Sequence, residues 1–294
     1  MKSGILNVVA TIAVVGCAHS ASAAVVGSLD GSRTHSVTTT AGDLREGNLN
    51  GTYYSNLRNH LTSGGSTVKA GAATVTADYL ADVDLFVTGT PTLNTNTAGL
   101  ASEAEKSVLR DWVSAGGVAF LIGEAASMSS SSIGSELAAN SWLGIFDLAI
   151  EGNYGRGTGR WTASENALLN GVNNGSLNTI ATNTGGAFAE DGAYEILARY
   201  GTSATRGQAA IVALQYGKGY VIASGDSSPF SNERFTSVIN DGVTLSKSAQ
   251  FLDNIVALSE AQQPAPVPLP GTLPLALAGL GVLGLVRRRR INDA

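Results

Sequence analysis

Asp30, Glu124 and Asp226 are carboxylates that each follow a short apolar run, and Thr88 closes another, Asp-Leu-Phe-Val-Thr. In open α/β sheets, ligands bind beyond the carboxyl ends of the strands. If these runs are strands, the four side chains can share one rim. Converging carboxylates there could hold a divalent cation or a network of sugar hydroxyls, or act as an acid–base pair. His35, close to Asp30 in the chain, could serve as a base. The competing reading is structural. Asp30-Gly31 and Gly225-Asp226 are ordinary turn dipeptides, and each carboxylate would then cap a helix or close a turn.

Other chemistries are poorly supported. The Gly-x-Ser-x-Gly nucleophile elbow is absent, and the Ser-rich stretch Ser127–Ser132 reads as surface loop. Gly155-Arg156-Gly157-Thr158-Gly159 has neither the preceding strand nor the following helix that a phosphate loop requires. Aromatic side chains can stack on sugar rings. Trp112 and Trp142 lie on helical apolar faces and read as core, whereas Trp161 and Tyr154 flank the Gly-rich loop and are the aromatic candidates for exposure and glycan contact.

The elements that would position these groups alternate between strand and helix. Ala24–Leu29, Asp84–Thr88, Val118–Ile122 and Phe146–Ile150 read as strands; Tyr53–Leu61, Ser102–Ala115 and Ser132–Leu143 read as helices. Ser102 and Glu105 form a capping box, and Gly116-Gly117 supplies the stop. Val118–Ile122 is continuously apolar, as in a parallel strand covered on both faces. Ala209–Gln215 and Tyr220–Ala223 flank Tyr216-Gly217-Lys218-Gly219, a hairpin signal. Ser246–Glu260 closes the domain as a helix, and Gly152–Thr184, rich in Gly, Asn and Thr, reads as an irregular excursion. The expected fold is α/β, a doubly wound, mostly parallel, flavodoxin-like sheet with a C-terminal β-hairpin.

The chain has 294 residues, 14% of them charged, with 36 glycines, one cysteine and a net charge of −5. A typical globular chain carries about 25% charged residues. Ample apolar content argues against charge-driven disorder, and a single Cys excludes a disulfide framework. The acidic balance disfavours nucleic acid. No cofactor and no metal-ligand motif is implied.

Both ends read as addresses. Residues 1–23 form a secretory signal: Lys2, the apolar run Ile5–Val15, and Ala21-Ser22-Ala23 as cleavage site. The alternative is Val14-Val15-Gly16-Cys17, which resembles a lipobox and would make Cys17 a lipid-bearing N-terminus. Residues 24–260 would be the ectodomain. Residues 261–270 are a Pro-rich spacer ending in Val267-Pro268-Leu269-Pro270, residues 271–290 a membrane span with an Arg cluster, and 291–294 a tail. Val267–Val286 carries no charge over 20 residues, about one hydrocarbon thickness as a helix. Arg287, Arg288, Arg289 and Arg290 would then hold the C-terminus in the cytoplasm. Between residues 24 and 270 there are 13 basic and 22 acidic side chains, a net charge of −9, which favours solubility.

The Pro motif, apolar helix and Arg cluster, in that order, resemble the PEP-CTERM sorting signals in their Val-Pro-Leu-Pro-Ala variant, with Gly271 in place of the usual Ala. The resemblance implies recognition by an exosortase, residence in the inner membrane with the ectodomain in the periplasm, then release to the surface or exterior. It also implies association with extracellular polysaccharide and biofilm matrix.

Three segments carry a second resemblance, to class I glutamine-amidotransferase-like domains and to their non-amidotransferase members in surface and transport-associated proteins. They are Asp82–Thr90, Ala104–Glu124 and Tyr216–Glu233. In true amidotransferases a Cys nucleophile occupies the turn after the central strand. Here that turn reads Gly123-Glu124-Ala125-Ala126, and His35 and His60 are the only histidines of the ectodomain. The resemblance therefore implies fold and location without amidotransferase chemistry. The expected function is an exported binding protein of the envelope or matrix; the alternative is a divergent secreted hydrolase using Asp30, Glu124, Asp226 or His35.

Overall fold

Val-Ala-Phe-Leu-Ile at Val118–Ile122 is buried at all five positions, and the main sheet is built around it. A computed structural model describes residues 23–38, 44–92, 99–124, 133–154, 157–172, 179–183, 185–201, 207–232, 234–236 and 246–262. In chain order the elements are β1 Val25–Ser28, β2 Ser36–Thr38, β3 Leu44–Glu46, α1 Ser55–Ser63, β4 Thr67–Val68, α2 Ala77–Leu80, β5 Leu85–Val87, α3 Glu103–Ala115, β6 Val118–Ile122 and α4 Ile133–Leu143. They continue with β7 Glu151–Tyr154, β8 Gly157–Trp161, β9 Thr179–Thr182, β10 Gly185–Ala187, β11 Glu195–Tyr200, β12 Ala209–Tyr216, β13 Gly219–Ser224 and α5 Lys247–Gln262.

Nine strands form the main sheet in the order β4-β1-β5-β6-β13-β12-β11-β8-β9. The first five are mutually parallel. From β13 onward every pairing is antiparallel. The fold is α/β with a mixed central sheet. Its parallel part follows from the continuous apolar runs, which only a sheet covered on both faces can bury.

Alternation along β6 divides the core in two. Val118, Phe120 and Ile122 join the cluster with Leu57 and Leu61 of α1 and Phe251, Leu252 and Ile255 of α5. Ala119 and Leu121 join the opposite cluster with Leu109 and Val113 of α3 and Trp142 and Leu143 of α4. Helices thus lie on both faces, as in a doubly wound arrangement. Trp142 is core, as expected, and Trp112 is half-buried against the same cluster.

The capping box on α3 is present. Ser102 Oγ accepts from Glu105 N at 3.3 Å, and Glu105 Oε2 accepts from Ser102 N at 3.0 Å. Gly116 ends the helix at φ +132°, a conformation that side-chain-bearing residues avoid.

Two local expectations are corrected. Phe146–Ile150 is not a strand: Gly144–Phe146 is a 3₁₀ turn continuing α4, Asp147 turns back at φ 57°, and the strand begins at Glu151. Gly152–Thr184 is not merely irregular: β8 and β9 within it extend the sheet beyond β11, and β7 pairs with β10. Small residues there permit close strand contact, so low side-chain bulk does not mean lack of structure. No helix among the described residues is long and apolar enough to cross a membrane. The expected span 271–290, the motif Val267–Pro270 and nearly all of the leader 1–23 lie outside the described residues.

Candidate functional site

β5, β6 and β13 run parallel, so their C-terminal residues share one edge of the sheet. Thr88 leaves β5 there, Glu124 follows β6 and Asp226 follows β13. All three are buried. Thr88 Oγ1 accepts from Ile122 N at 2.8 Å and donates to Gly89 O at 3.1 Å, stitching β5 to β6 just past their ladder.

Glu124 accepts a short hydrogen bond from Ser227 Oγ. Tyr53 Oη lies 3.3 Å from the same hydroxyl. Beside them Tyr54 Oη and Thr90 Oγ1 are 2.5 Å apart. Asp226 accepts from Asn183 N at 2.7 Å through Oδ2 and from Ser228 N at 2.8 Å through Oδ1. The second bond closes an Asx turn that leads into the 3₁₀ turn Ser228–Phe230. Gly225 permits this crowding, because a Cβ there would stand 2.0 Å from Gly186 O, and Gly186 N donates to Gly225 O at 2.8 Å. Tyr200 closes the knot from below, donating to Gly186 O at 2.9 Å.

The charges feel one another. Burial raises the Asp226 carboxyl above its ordinary range, against the hydrogen bonds that Asn183 and Ser228 donate to its anion. Burial also drives the Tyr54 and Tyr200 hydroxyls well up. The negative potential of Glu124 adds to both, and that of Asp226 adds to Tyr200.

The remaining candidates, Asp30 and His35, lie on the segment between β1 and β2. Asp30 is half-buried and accepts from Ser32 N at 2.9 Å and Ser32 Oγ at 2.6 Å, a turn closed on itself. His35 joins the loops through its backbone: its N donates to Thr90 O at 2.8 Å and its O accepts from Gly47 N at 2.6 Å. Burial lowers the pKa of its imidazole, which favours the neutral ring. No group of three or more His, Cys, Asp or Glu side chains among the described residues is placed to hold a metal ion.

The exposure expected of Trp161 is corrected. The residue is 0% exposed, and its ring stands 4.8 Å from that of Phe251 on α5. It lies at the end of β8, where the sheet turns the side chain inward beneath the closing helix. Tyr154 is exposed. Ser227 is the site residue that the candidate set lacks. Its signal is the run Gly225-Asp226-Ser227-Ser228-Pro229, an Asx cap before a Pro-initiated turn.

Residues 266–290 match the PEP-CTERM protein-sorting motif. The chain carries a PEP-CTERM sorting signal. This signal contains Val267–Pro270 and Arg287–Arg290, and it implies a secreted, surface-sorted protein processed by an exosortase. No curated protein matches the sequence.

Among solved structures, the mmIFT52 N-terminal domain is similar at TM-score 0.53 and 12% identity, over 83% of this chain and 100% of that one. The cytoplasmic protein STM3548 from Salmonella typhimurium is similar at TM-score 0.51 and 13% identity, over 80% and 98%. A putative GMP synthase protein from Thermoplasma acidophilum aligns at TM-score 0.46 and 10% identity, over 82% and 96%. At these identities the likeness concerns the fold alone. The PEP-CTERM chain therefore joins a sorting signal to an α/β fold similar to those of the mmIFT52 N-terminal domain and STM3548.

Proposed function

We propose that this is an exported envelope or matrix protein whose α/β domain is a non-catalytic interaction module. The sorting motif at residues 266–290 carries the reading. The leader 1–23 would direct export through the general secretory route. The span ending at Arg287–Arg290 would hold the chain in the inner membrane, with its bulk in the periplasm. An exosortase would then cut near Val267–Pro270 and release the domain to the surface or exterior. Engagement of Glu124 and Asp226 in buried hydrogen bonds supports a domain that binds rather than reacts.

Intact-mass spectrometry of the product released from cells tests this. The expected species begins at Ala24 and ends near the Pro motif. A released species that retains Arg287–Arg290, or a full-length product soluble in the cytosol, overturns it. A lipid-bearing Cys17 at the N-terminus would replace the ordinary signal by the lipoprotein alternative.

A divergent hydrolase on the same rim is the second reading, favoured by one contact, the donation from Ser227 Oγ to Glu124. It requires Ser227→Ala to abolish ester cleavage without loss of stability. We expect the reverse. Removing a hydroxyl that satisfies a buried carboxylate costs about 1–3 kcal/mol, seen as a lower urea midpoint. The parent protein should show no hydrolysis of p-nitrophenyl acetate above background.

A further inference from the structure

At the other end of β13 from the rim lies a groove of about 990 Å³. The strand runs from Gly219, beside Tyr220 which lines the groove, to Ser224, near the Glu124–Ser227 knot. Pockets of several hundred to about 1,000 Å³ hold ligands larger than a single small molecule fragment. This one is bounded by the 3₁₀ turn Ala167–Leu169, the start of β11, the β12–β13 hairpin and the last turns of α5.

Its frame is fixed by internal hydrogen bonds. Asn254 Nδ2 on α5 donates to Leu168 O at 2.8 Å and Asn170 O at 3.0 Å. Glu195 is the carboxylate of the lining, and both its oxygens are engaged: Asn166 Nδ2 donates to Oε2 at 2.6 Å, and Ser164 Oγ donates to Oε1. Among the described residues, no Lys, Arg or His lines the groove. An anionic ligand would find no counter-charge there, and a cation would find the carboxylate already satisfied.

What remains available is uncharged. The Tyr220 hydroxyl and the Asn170 amide make no hydrogen bond among the described residues, and the Gln215 amide makes a single long one, 3.4 Å, to Gly217 O. Tyr220 adds ring surface, with an apolar body and a polar tip, whereas the Tyr194 ring packs on Phe188 and its hydroxyl donates to Ala189 O. Two exposed amides, a hydroxyl and a tyrosine ring match a ligand with many neutral hydroxyls alternating with C–H faces. We propose that this groove binds an uncharged oligosaccharide, with Tyr220 against a sugar face and Asn170, Gln215 and the Tyr220 hydroxyl as hydrogen-bonding groups. The site stands independently of the sorting reading.

The test is affinity electrophoresis of the full chain, purified in mild detergent, through gels containing dextran, hydroxyethylcellulose or galactomannan, with polygalacturonate as the charged comparator. Retardation is expected in at least one neutral gel, unchanged at raised salt, and absent with polygalacturonate. Asn170 and Gln215 are exposed, so the double variant Asn170→Ala/Gln215→Ala should keep its melting temperature and bind about tenfold more weakly, the scale of one or two lost hydrogen bonds. Tyr220→Phe, which removes only the hydroxyl, should weaken binding in the same direction. Absence of retardation in all three neutral gels overturns the proposal, as does undiminished binding by the double variant. A synthetic peptide of residues 263–270 that occupies the groove while the polysaccharides do not also overturns it, by making the chain's own Pro-rich segment the occupant. Mass of the released form reports separately on sorting, so failure of one conclusion is not mistaken for failure of the other.

Discussion

Replacement of Trp161 by alanine should lower the stability of the domain by about 3–5 kcal/mol, the range for emptying a buried aromatic site. Trp161 is wholly buried and packs on Phe251, which itself contacts Phe230 at 6.4 Å between ring centroids. The cavity would open where β8 meets α5, and neither a strand in the sheet nor a packed helix can collapse freely into it. The melting temperature should fall by on the order of 10 °C for a domain of this size. Trp161→Phe should lose much less. The indole Nε1 is buried without a hydrogen-bond partner, so phenylalanine removes an unsatisfied donor while keeping most of the ring. Paired thermal melts of the two variants check this. Equal losses would show that the indole nitrogen is satisfied in solution, and no loss in the alanine variant would place Trp161 outside the core.

The second large effect concerns Arg33 and Glu105, which tie the first loop to α3. Arg33 Nη1 donates to Glu105 Oε1 at 2.8 Å and to Ala73 O at 2.6 Å, and Nη2 donates to Leu100 O at 2.8 Å. The guanidinium also lies 5.6 Å from the centre of the Trp142 ring. Both partners are nearly inaccessible, at 8% and 3% side-chain exposure. Removing one member of a buried pair leaves the other charge uncompensated, so Arg33→Ala should cost about 3–5 kcal/mol.

The same contact gives a pH signature. Burial by itself would raise the Glu105 carboxyl, but hydrogen bonds from Arg33, Val75 and Ser102 outweigh it and hold the group below its ordinary value of 4.5. A carboxylate with a depressed folded pKa stabilises the fold above its unfolded pKa, and that contribution is lost as pH falls through the folded value. Urea midpoints should therefore drop below about pH 4.5, and Arg33→Ala should flatten that limb. His35 adds to acid loss, beginning below 6.5, because burial disfavours its cation. Asp226 acts in the opposite sense. Its raised pKa means that the fold holds the proton more tightly, so its contribution improves as pH falls toward and below the folded value. A steeper acid limb in Arg33→Ala than in the parent would contradict the assignment to Glu105.

Legibility of the fold tracked the strength of local signals. The capping box at Ser102 and Glu105, the Gly116 stop, the all-apolar Val118–Ile122 and the Gly217 turn each act over a few residues, and each appears where the sequence places it. The strands β7, β8 and β10 escaped because Glu-Gly-Asn-Tyr, Gly-Thr-Gly-Arg-Trp and Gly-Gly-Ala carry weak intrinsic strand preference. They are strands because neighbours supply the other half of each ladder. Trp161 shows the same limit from the side-chain view. A tryptophan beside glycines reads as exposed until a helix about 90 residues later in the chain is laid over it.

The sequence alone determined the sorting signal. A Pro motif, an uncharged apolar stretch and four arginines in order match it at residues 266–290, and no distant contact is needed to read them. It likewise determined the parallel half of the sheet, through runs too apolar to leave either face wet. Only the tertiary structure decided what the carboxylates do. Glu124 and Asp226 meet Ser227, Asn183 and Ser228 because strands far apart in sequence end at the same edge, while Asp30 turns back on Ser32. Convergence of side chains is a property of strand order and register, and those are fixed by the sum of long-range packing rather than by any one segment.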